Sequence, residues 1–315
     1  MSEESAVLQQ VAQNVAKVMV GKKEVTEYLL AALAAGGHVL LEDMPGSGKT
    51  VLARSLAASM NMDFHRIQFT PDLLPSDVTG LYYYNQKQEE FLFRQGPAFT
   101  HLLLADEINR ATPRTQSALL ECMAERQITV EGETKELPLP YMVIATQNPL
   151  ETVGCFPLPE AQLDRFLMKL SMGDLGIAEE VQMLERFMTE EPLATLQSVT
   201  TLEQIRKLQD ACKKVYVHPE LLEYMVKITQ RTRTSAGGSF GVSPRGSLAL
   251  MRASQGFAMV QGRDFVTPED IKKVAVPVLA HRYMSQSQSE SEKKNRILNI
   301  LTEIPVPTEE WNNRA

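Results

Sequence analysis

The chain has 315 residues, of which 43% are hydrophobic and 23% are charged, a composition that is typical of globular proteins and excludes a disordered chain. Its length predicts two domains rather than one. The formal net charge of −7 argues against non-specific binding to nucleic acid, because such binding depends on basic surface. The three cysteines, Cys122, Cys155 and Cys212, are widely spaced, which argues against both a zinc site and a disulfide framework.

The sequence carries no signal for membrane insertion. No apolar run approaches the roughly 18–20 residues that a membrane-spanning helix needs. Residues 1–5 are acidic, whereas a signal peptide begins with a basic stretch followed by an apolar one. We therefore expect no membrane insertion and a cytoplasmic location.

Up to about residue 172, apolar runs typical of strands alternate with amphipathic stretches typical of helices. Several of the runs are nearly continuous in Leu, Val and Ile, which favours a parallel sheet covered by helices on both faces. Thr112 and Pro113 predict the start of a helix that continues to Met123. The predicted strands are residues 38–42, 64–69, 101–105, 141–146 and 166–172.

Two shorter segments of this first part, residues 81–93 and 127–137, predict β-hairpins. After residue 174 the strand signals stop, and the remaining sequence is predicted to be helical. Its helix starts include a capping box at Thr201 and cap-plus-proline pairs at Ser243 and Thr267. The sequence therefore predicts an α/β domain over residues 1–174 and an all-α domain over residues 175–315.

The segment after the first predicted strand is typical of a phosphate-binding loop. A glycine-rich loop that leads into a helix directs backbone N–H groups and the positive end of the helix towards phosphate. Lys49 can reach the β and γ phosphates, and the Thr50 hydroxyl can hold Mg²⁺. Asp43 stands where the usual pattern has its first glycine, and a flexible turn with a surface lysine is the alternative. The residues predicted to bind the nucleotide here are Pro45, Gly46, Ser47, Gly48, Lys49, Thr50 and Val51.

Polar side chains follow two of the other predicted strands. Asp106 and Glu107 end a buried run, and downstream of a phosphate loop Asp106 can hold Mg²⁺, directly or through water, while Glu107 polarises the attacking water. The alternative is a solvated pair of acids. Asn148 follows the next strand at the same edge of the sheet, where ligand sites gather. It could hold the attacking water or the γ phosphate, but Asn-Pro is equally explained as a turn.

Two arginines are candidates for stabilising charge on a phosphate. Arg165 stands next to the last predicted strand, although a surface salt bridge with Asp164 or Glu160 explains it more simply. Arg245 lies in the first turn of the helix that starts at Ser243, where a cation opposes the helix dipole. A nucleotide phosphate would compensate this charge, and so would a neighbouring acid.

Taken together, these segments resemble the MoxR family of AAA+ ATPases. The resemblance covers nearly the whole chain and implies an α/β P-loop NTPase (AAA+) core, with a parallel sheet flanked by helices, followed by an all-α lid domain. It further implies Mg²⁺-dependent hydrolysis of ATP by an oligomeric ring of six subunits, acting as a chaperone-like remodeller in the maturation or activation of protein complexes. The stretches that carry the resemblance are residues 42–50, 68–80, 104–111, 145–149 and 157–166.

The resemblance also implies roles for single residues. Lys49 and Thr50 resemble the Walker A pair, Asp106 and Glu107 resemble the Walker B pair, and Asn148 resembles sensor 1. These roles place the phosphates, the Mg²⁺ ion and the attacking water at one edge of the sheet.

Further positions match the parts of the family that lie outside this centre. Arg165 resembles the arginine finger that enters the site of a neighbouring subunit, and Arg245 resembles sensor 2, reaching the γ phosphate of its own chain. Val20 and Gly21 resemble the segment that lines the adenine pocket. The two predicted hairpins correspond to surfaces that face the ring pore or a client, and the implied partners are proteins with von Willebrand factor A domains.

Three other functions use similar residues. A nucleic-acid motor of a related AAA+ class is disfavoured by the net charge of −7. An inactive nucleotide-binding scaffold is disfavoured because every charged residue of the hydrolytic set is present. A small-molecule kinase would share the phosphate loop, but the predicted helical lid with an arginine at a helix start favours ring sensing.

Overall fold

A computed structural model describes residues 3–44, 46–149, 154–189, 191–234, 241–283 and 289–307 of the chain. Its helices are α1 Glu3–Ala16, α2 Lys23–Ala34, α3 Lys49–Ser59, α4 Pro75–Thr79, α5 Pro113–Glu125, α6 Glu160–Leu163, α7 Ile177–Thr189, α8 Leu202–Cys212, α9 Pro219–Thr234, α10 Pro244–Val260, α11 Pro268–Leu279 and α12 Glu290–Glu303. Its strands are β1 Val39–Glu42, β2 Phe64–Gln68, β3 Gly80–Asn85, β4 Glu90–Gln95, β5 Leu102–Asp106, β6 Gln127–Val130, β7 Glu133–Glu136, β8 Met142–Gln147 and β9 Met168–Leu170.

Five of the strands form one parallel sheet in the order β2-β5-β8-β1-β9. β5 is buried at every position and β8 at all but its last, which explains why their sequences are continuous apolar runs. Each of the five predicted strands overlaps one of these strands, so the predicted parallel sheet is confirmed. Because the strands all run the same way, the sheet has a carboxyl edge, where every strand ends, and an amino edge, where every strand begins.

Both faces of the sheet are covered. Side chains alternate between the faces along each strand, so Leu104 and Ile144 pack with α1, α2 and α3, whereas Leu103 and Val143 pack with α5 on the other side. The α5 helix begins at the predicted proline. These two apolar layers hold the strands in register and fix where each strand ends at the carboxyl edge.

The second half of the described chain is helical, apart from an isolated β-bridge, and it packs closely on the first half. A Cβ atom at Gly256 of α10 would overlap the carbonyl oxygen of Ala31 in α2, so glycine allows the two helices to touch backbone to backbone. Thr201 forms the predicted capping box, whereas Ser243 occupies the N-cap position of α10 without a capping hydrogen bond from its side chain. The predicted domain boundary at residue 174 lies between β9 and α7, and it stays a prediction.

The two predicted hairpins are present as β3 with β4 and β6 with β7. Glu131 and Gly132 both have positive φ, 51° and 83°, as the two-residue turn between β6 and β7 requires. The hairpins contact each other, because the Tyr82 hydroxyl donates a hydrogen bond to Glu133 and the Lys135 ammonium lies 4.7 Å from the centroid of the Phe93 ring. Among the residues that the structure describes, no helix is both long and apolar enough to cross a bilayer.

Candidate nucleotide-binding and catalytic site

The loop between β1 and α3 has the backbone conformation of a phosphate cradle. Gly46 and Gly48 have φ angles of 85° and 87°, which glycine adopts without strain. No atom lies within 4 Å of a Cβ built on Gly46, so the backbone conformation, and not a lack of space, requires glycine there. The loop leads directly into α3, which begins at Lys49, so the helix N-terminus points at the loop. Pro45 lies outside the described residues.

Two charged side chains fix this loop. The Lys49 ammonium donates hydrogen bonds to the carbonyl oxygens of Asp43, at 2.9 Å, and Met44, at 3.3 Å, so it lies over the loop. The Asp43 carboxylate accepts hydrogen bonds from the Met172 backbone N–H and, at 3.3 Å, from the Ser171 hydroxyl, just beyond β9. The aspartate that replaces the usual glycine therefore ties the loop to the end of the neighbouring strand.

A cavity of about 490 Å³ lies between this loop, the end of α1 and α7. Five residues predicted to bind the nucleotide line it, namely Val20, Gly46, Ser47, Gly48 and Val51. Met183 and Phe187 of α7 also line it, and sequence reasoning missed them because α7 follows the sheet. Gly21 lies beside the cavity with a φ of 66°, and Glu179 and Leu175 leave no room for a side chain there. A larger cavity of about 740 Å³ beside β9 contains no residue of the phosphate loop.

Asp106 is the last residue of β5 and is buried at the carboxyl edge. One of its carboxylate oxygens accepts a hydrogen bond from the Thr146 hydroxyl at 2.6 Å. The other accepts two from the guanidinium of Arg66 on β2, at 3.0 and 2.7 Å. Because both oxygens already have donors within the protein, this carboxylate fits a contact with Mg²⁺ through water better than a direct bond. Sequence reasoning missed Arg66 and Thr146.

Glu107 has a left-handed backbone, with φ 56° and ψ 50°, which costs a residue other than glycine about 1–3 kcal/mol. Three contacts hold it there. Its N–H donates to the Thr146 hydroxyl at 2.8 Å, and its carboxylate accepts hydrogen bonds from Gln68 at 2.6 Å and from Arg110 at 3.0 Å. The carboxylate is therefore held in a fixed direction, as a group that orients a water molecule must be.

Asn148 follows β8, which lies between β5 and β1 in the sheet. It is buried, and its position in the strand order is between Glu107 on one side and the phosphate loop on the other. The structure thus brings Asn148, Asp106, Glu107, Lys49 and Thr50 to one edge of the sheet, where the sequence predicts them. Their catalytic roles stay predictions.

Arg165 lies at the opposite edge of the sheet. The N–H of Leu167, two residues later, donates to the carbonyl oxygen of His38, which precedes β1. From His38 to Glu42, where the phosphate loop begins, the strand rises four residues, or roughly 13 Å. Arg165 is an exposed residue, and its guanidinium donates to the carbonyl oxygen of Leu120 in α5 at 2.8 Å. It therefore faces outward, away from the phosphate loop of its own chain.

The simpler explanation of Arg165, a salt bridge with Asp164 or Glu160, is not what the structure contains. Asp164 pairs with the buried Arg282 at 2.7 Å, and Glu160 pairs with Lys293 at 3.6 Å. Arg165 is thus an exposed residue whose guanidinium forms no ion pair with either of these acids.

The helix turn that carries Arg245 also lies at the amino edge of the sheet. A Cβ on its neighbour Gly246 would lie 3.4 Å from Arg282, which donates to the carbonyl oxygens of Phe166 and Leu167 just before β9. Arg245 is exposed and does not line the cavity at the phosphate loop. The packing of α10 places the start of that helix at the amino edge in this structure, and a role of Arg245 at the γ phosphate of its own chain stays a prediction. The alternative of a neighbouring acid is not realised among the described residues, since Arg245 forms no ion pair with any of them.

The donors at the carboxyl edge can hold Mg²⁺ only together with other ligands. In the described part of the chain, no three His, Cys, Asp or Glu side chains converge as a metal site. Thr50 and Asp106 would therefore contribute to a Mg²⁺ site whose remaining ligands are phosphate oxygens and water, which is the usual arrangement for this ion.

A phosphate loop after the first strand, paired acids at the end of a neighbouring parallel strand and a helical C-terminal part define an ATPase of the AAA class. Residues 38–168 match the model of the ATPase family associated with various cellular activities (AAA), and residues 230–301 match the AAA lid domain. The structure is similar to the crystal structure of a candidate ATPase from Cytophaga hutchinsonii, with a TM-score of 0.89 and 38% identity, covering 97% of this chain and 96% of that one.

Relatives identify the family within this class. The chain is 40% identical to Chaperone MoxR1 of Mycobacterium tuberculosis, over 90% of this chain and 77% of that protein. It is 30% identical to Protein MoxR of Methylorubrum extorquens, over 93% of this chain and 92% of that protein. It is also 47% identical to the uncharacterised protein YeaC of Bacillus subtilis, over 96% of each chain. The chain belongs to the MoxR family of AAA+ ATPases.

Proposed function

We propose that the protein is a Mg²⁺-dependent ATP hydrolase that works as a head-to-tail ring. The observation that carries the proposal is the separation of its charged groups. Lys49 and Glu107 lie at the carboxyl edge of the sheet, whereas Arg165 and Arg245 lie at the amino edge. One chain cannot bring both sets to one γ phosphate, but the amino edge of a neighbour can face the carboxyl edge of the next copy. Such a contact is heterologous, and repeating it closes a ring.

The residues at the carboxyl edge fit a bound nucleotide. The cavity of about 490 Å³ is within the range of ligand sites, and the N–H groups of the loop, with Lys49, bind the β and γ phosphates. When bound, Mg²⁺ neutralises charge on the phosphate oxygens, with Thr50 and Asp106 on its protein side. Glu107 orients the attacking water and accepts its proton, while Asn148 fixes the position of the water or the γ phosphate.

The neighbouring subunit supplies the remaining charge. Arg165 reaches the γ phosphate of the next copy and stabilises charge on the transferring group. Arg245 approaches from the same neighbour, because both arginines lie on its amino edge. Hydrolysis therefore depends on assembly, and loss of the γ phosphate weakens the contact between neighbours.

We further propose a chaperone-like role in the maturation or activation of protein complexes, with six subunits in the ring, proteins with von Willebrand factor A domains as partners and a cytoplasmic location. The name of the relative Chaperone MoxR1 supports this role. The hairpin of β3 and β4 adds an apolar surface that suits a protein client, since Tyr84 is 51% and Phe91 is 68% exposed. Stimulation of ATP turnover by an added von Willebrand factor A domain protein would support the partner class.

ATP turnover per chain as a function of protein concentration tests the ring mechanism. We expect turnover to rise with concentration and then saturate, because a neighbour completes each site. A substantial and constant turnover in a dilute sample that sediments as a monomer would contradict the proposal.

A mixing experiment tests the direction of the contact. Glu107→Gln removes hydrolysis from a chain but keeps its Arg165, whereas Arg165→Ala keeps the acids but removes the arginine. We expect both variants to be inactive alone and their equal mixture to recover about a quarter of the wild-type turnover, since that share of neighbour pairs combines an intact site with an intact arginine. No recovery in a mixture that co-assembles would contradict a role for Arg165 in the neighbour's site.

A further inference from the structure

The helix α7 carries an apolar stripe that faces away from the described protein. The stripe consists of Ile177, Val181, Leu184 and Met188, which are 86%, 48%, 58% and 82% exposed. Their spacing of four, three and four residues places all of them on one side of the helix. Four large apolar side chains in a row on a surface helix indicate a surface that another element covers.

The rest of α7 limits what this element can be. Glu185 flanks the stripe on one side, and Glu180, which is exposed and also lines the nucleotide cavity, flanks it on the other, each at helical spacings of three and four residues from members of the stripe. The opposite side faces the protein, where Arg186 donates to the backbone carbonyls of Ala16 and Lys17 at the end of α1. A helix that lies on a membrane carries basic residues beside its apolar face, so the acidic flanks disfavour a lipid surface and favour a basic protein surface.

The same chain has a surface with the matching character. A cavity of about 460 Å³ lies between the end of α2, the end of α5, α8 and α10. We call this cavity the basic groove, and its side chains include four cations and two exposed leucines. Asp210 also lines the groove, but one acid against four cations leaves an excess of positive charge. The six residues that define it are Arg126, Leu139, Arg206, Lys213, Leu248 and Arg252.

The basic groove is continuous with the two arginines at the amino edge. Leu248 and Arg252 follow Arg245 on α10 by three and seven residues, which places the three side chains on one side of that helix. Arg165 contacts α5 at Leu120, and Arg126 follows six residues later, roughly 9 Å along the helix axis. The groove therefore belongs to the same face of the molecule as both arginines.

The stripe and the groove lie at opposite ends of α2. Gly21, just before α2, lies against Glu179 of α7, whereas Ala34 and Ala35 at the other end of α2 line the groove. The 12 residues of α2 separate the two ends by roughly 18 Å. The stripe therefore cannot fill the groove of its own chain, but it can fill the groove of another copy.

We infer that the α7 stripe of one copy packs into the basic groove of the next copy and forms the seam of the ring. The inference rests on the proposed function, in which the amino edge of one subunit faces the nucleotide cavity of its neighbour. Leu139 and Leu248 cover the apolar stripe, and the groove cations face Glu180 and Glu185. The contact is head to tail, because the two surfaces differ and lie on opposite sides of each chain.

This seam links nucleotide binding to assembly through one helix. Met183 and Phe187 of α7 line the nucleotide cavity, while the stripe on the outer side of the same helix contacts the neighbour. A nucleotide that packs against the inner side fixes the position of α7. The outer side is then already ordered when the neighbour binds, so less entropy is lost on assembly. We therefore expect ATP to promote association as well as to be hydrolysed.

The experiment uses one variant for each surface and a matched control. Leu184→Glu alters the stripe, and Leu248→Glu with Arg252→Glu alters the groove. The control is Leu222→Glu, which changes an exposed leucine of α9 that belongs to neither surface. Each protein is sized by sedimentation velocity with ATP, its ATP turnover is measured against concentration, and binding of a fluorescent ATP analogue reports on the cavity.

We expect each surface variant alone to bind nucleotide, to sediment as a monomer and to lose at least about tenfold in turnover at concentrations where wild type is saturated. The control should behave as wild type. An equal mixture of the two surface variants should form pairs through the one intact stripe and the one intact groove. Turnover per chain should then recover to about half of the wild-type value, because one site in each pair is complete.

The results separate this inference from the proposed function. If Leu184→Glu keeps the size and concentration dependence of wild type, or if the mixture shows no recovery, the stripe does not bind the groove and the inference is wrong, while the ring mechanism stands on the wild-type data. If the control variant also loses assembly, the effect is not specific to the seam and the inference is equally overturned. If wild type itself turns over ATP at full rate as a monomer, the proposed function fails.

Discussion

The Thr146 hydroxyl forms hydrogen bonds with both acidic residues of the candidate site. Removing it tests whether these bonds position the two acids. The side chain is fully buried in β8, donates to Asp106 at 2.6 Å and accepts the Glu107 N–H at 2.8 Å. Thr146→Val replaces the hydroxyl with a methyl group of similar size, so the change removes both hydrogen bonds and leaves the packing nearly intact. We expect it to lower both the free energy of unfolding and the turnover of ATP.

The magnitude follows from the two contacts. A hydrogen bond to a charged group contributes about 1.5–3 kcal/mol, and a buried N–H without a partner costs about 1–3 kcal/mol. Arg66 keeps its two hydrogen bonds to Asp106, so we expect a total loss of about 3 kcal/mol in the free energy of unfolding. Glu107 also loses one of the three contacts that hold its left-handed backbone, so we expect its carboxylate to move and turnover to fall by at least about tenfold.

Urea unfolding gives the free energy, a fluorescent ATP analogue gives the affinity, and phosphate release gives the turnover. Nucleotide affinity should change little, because Thr146 lies beside the acids and not in the phosphate loop. Thr146→Ser, which keeps the hydroxyl but removes a buried methyl group, is the control; it should lose only about 1 kcal/mol of stability and keep its turnover near wild type. A Thr146→Val protein that unfolds within about 0.5 kcal/mol of wild type and keeps its turnover would refute the view that this hydroxyl positions Glu107.

Other changes test separate parts of the structure. Lys49→Ala should abolish binding of the fluorescent ATP analogue, and a normal titration would contradict the phosphate cradle. Arg165→Ala should keep nucleotide affinity but stop phosphate release, whereas an equal loss of affinity would indicate a role within its own chain. Burial lowers the pKa of His38 from 6.5 to about 4, and its Nδ1 accepts the Val143 N–H, so the folded protein resists protonation there. The unfolded chain binds that proton below about pH 6.5, so the contribution of His38 to the free energy of unfolding should be fully present above this pH. It should fall by roughly 3 kcal/mol as the pH drops to 4. Urea unfolding at pH 7, 5.5 and 4 measures this, and His38→Gln should weaken the dependence.

The sequence predicts the sheet and the carboxyl edge of the site because both depend on short, continuous segments. A parallel strand buried on both faces must be an apolar run, and the loop from Asp43 to Lys49 and the pair of acids after β5 are each contiguous in the chain. Parallel strands all end at one edge, so finding the strands also predicts that these groups meet. Glycine at positions 46 and 48 is explained by the positive φ angles that the loop adopts.

The residues around the two acids that sequence reasoning missed come from neighbouring strands. Arg66 and Gln68 lie on β2 and contact Asp106, the last residue of β5, and Glu107, which follows it, and the register that aligns them depends on packing across the whole sheet. Arg245 shows a second reason why a site residue cannot be placed from sequence alone. Its position in the first turn of a helix indicates an unusual cation, but only the packing of α10 against α2 decides at which edge of the sheet that turn lies.

Arg282 links several segments of the chain at the amino edge of the sheet. Its buried guanidinium pairs with the carboxylate of Asp164, beside Arg165, and donates to four backbone carbonyls, those of Asp164, Phe166, Leu167 and Val278. A buried arginine with this many partners is costly to displace, since every acceptor would lose its donor. Arg282 follows α11, lies close to the start of α10 near Arg245 and pairs with Asp164, so it links the helical half of the chain to the segment that carries Arg165. In the proposed ring, loss of the neighbour's γ phosphate would therefore release both arginines together, and the change would pass to the lid helices as a rigid-body movement.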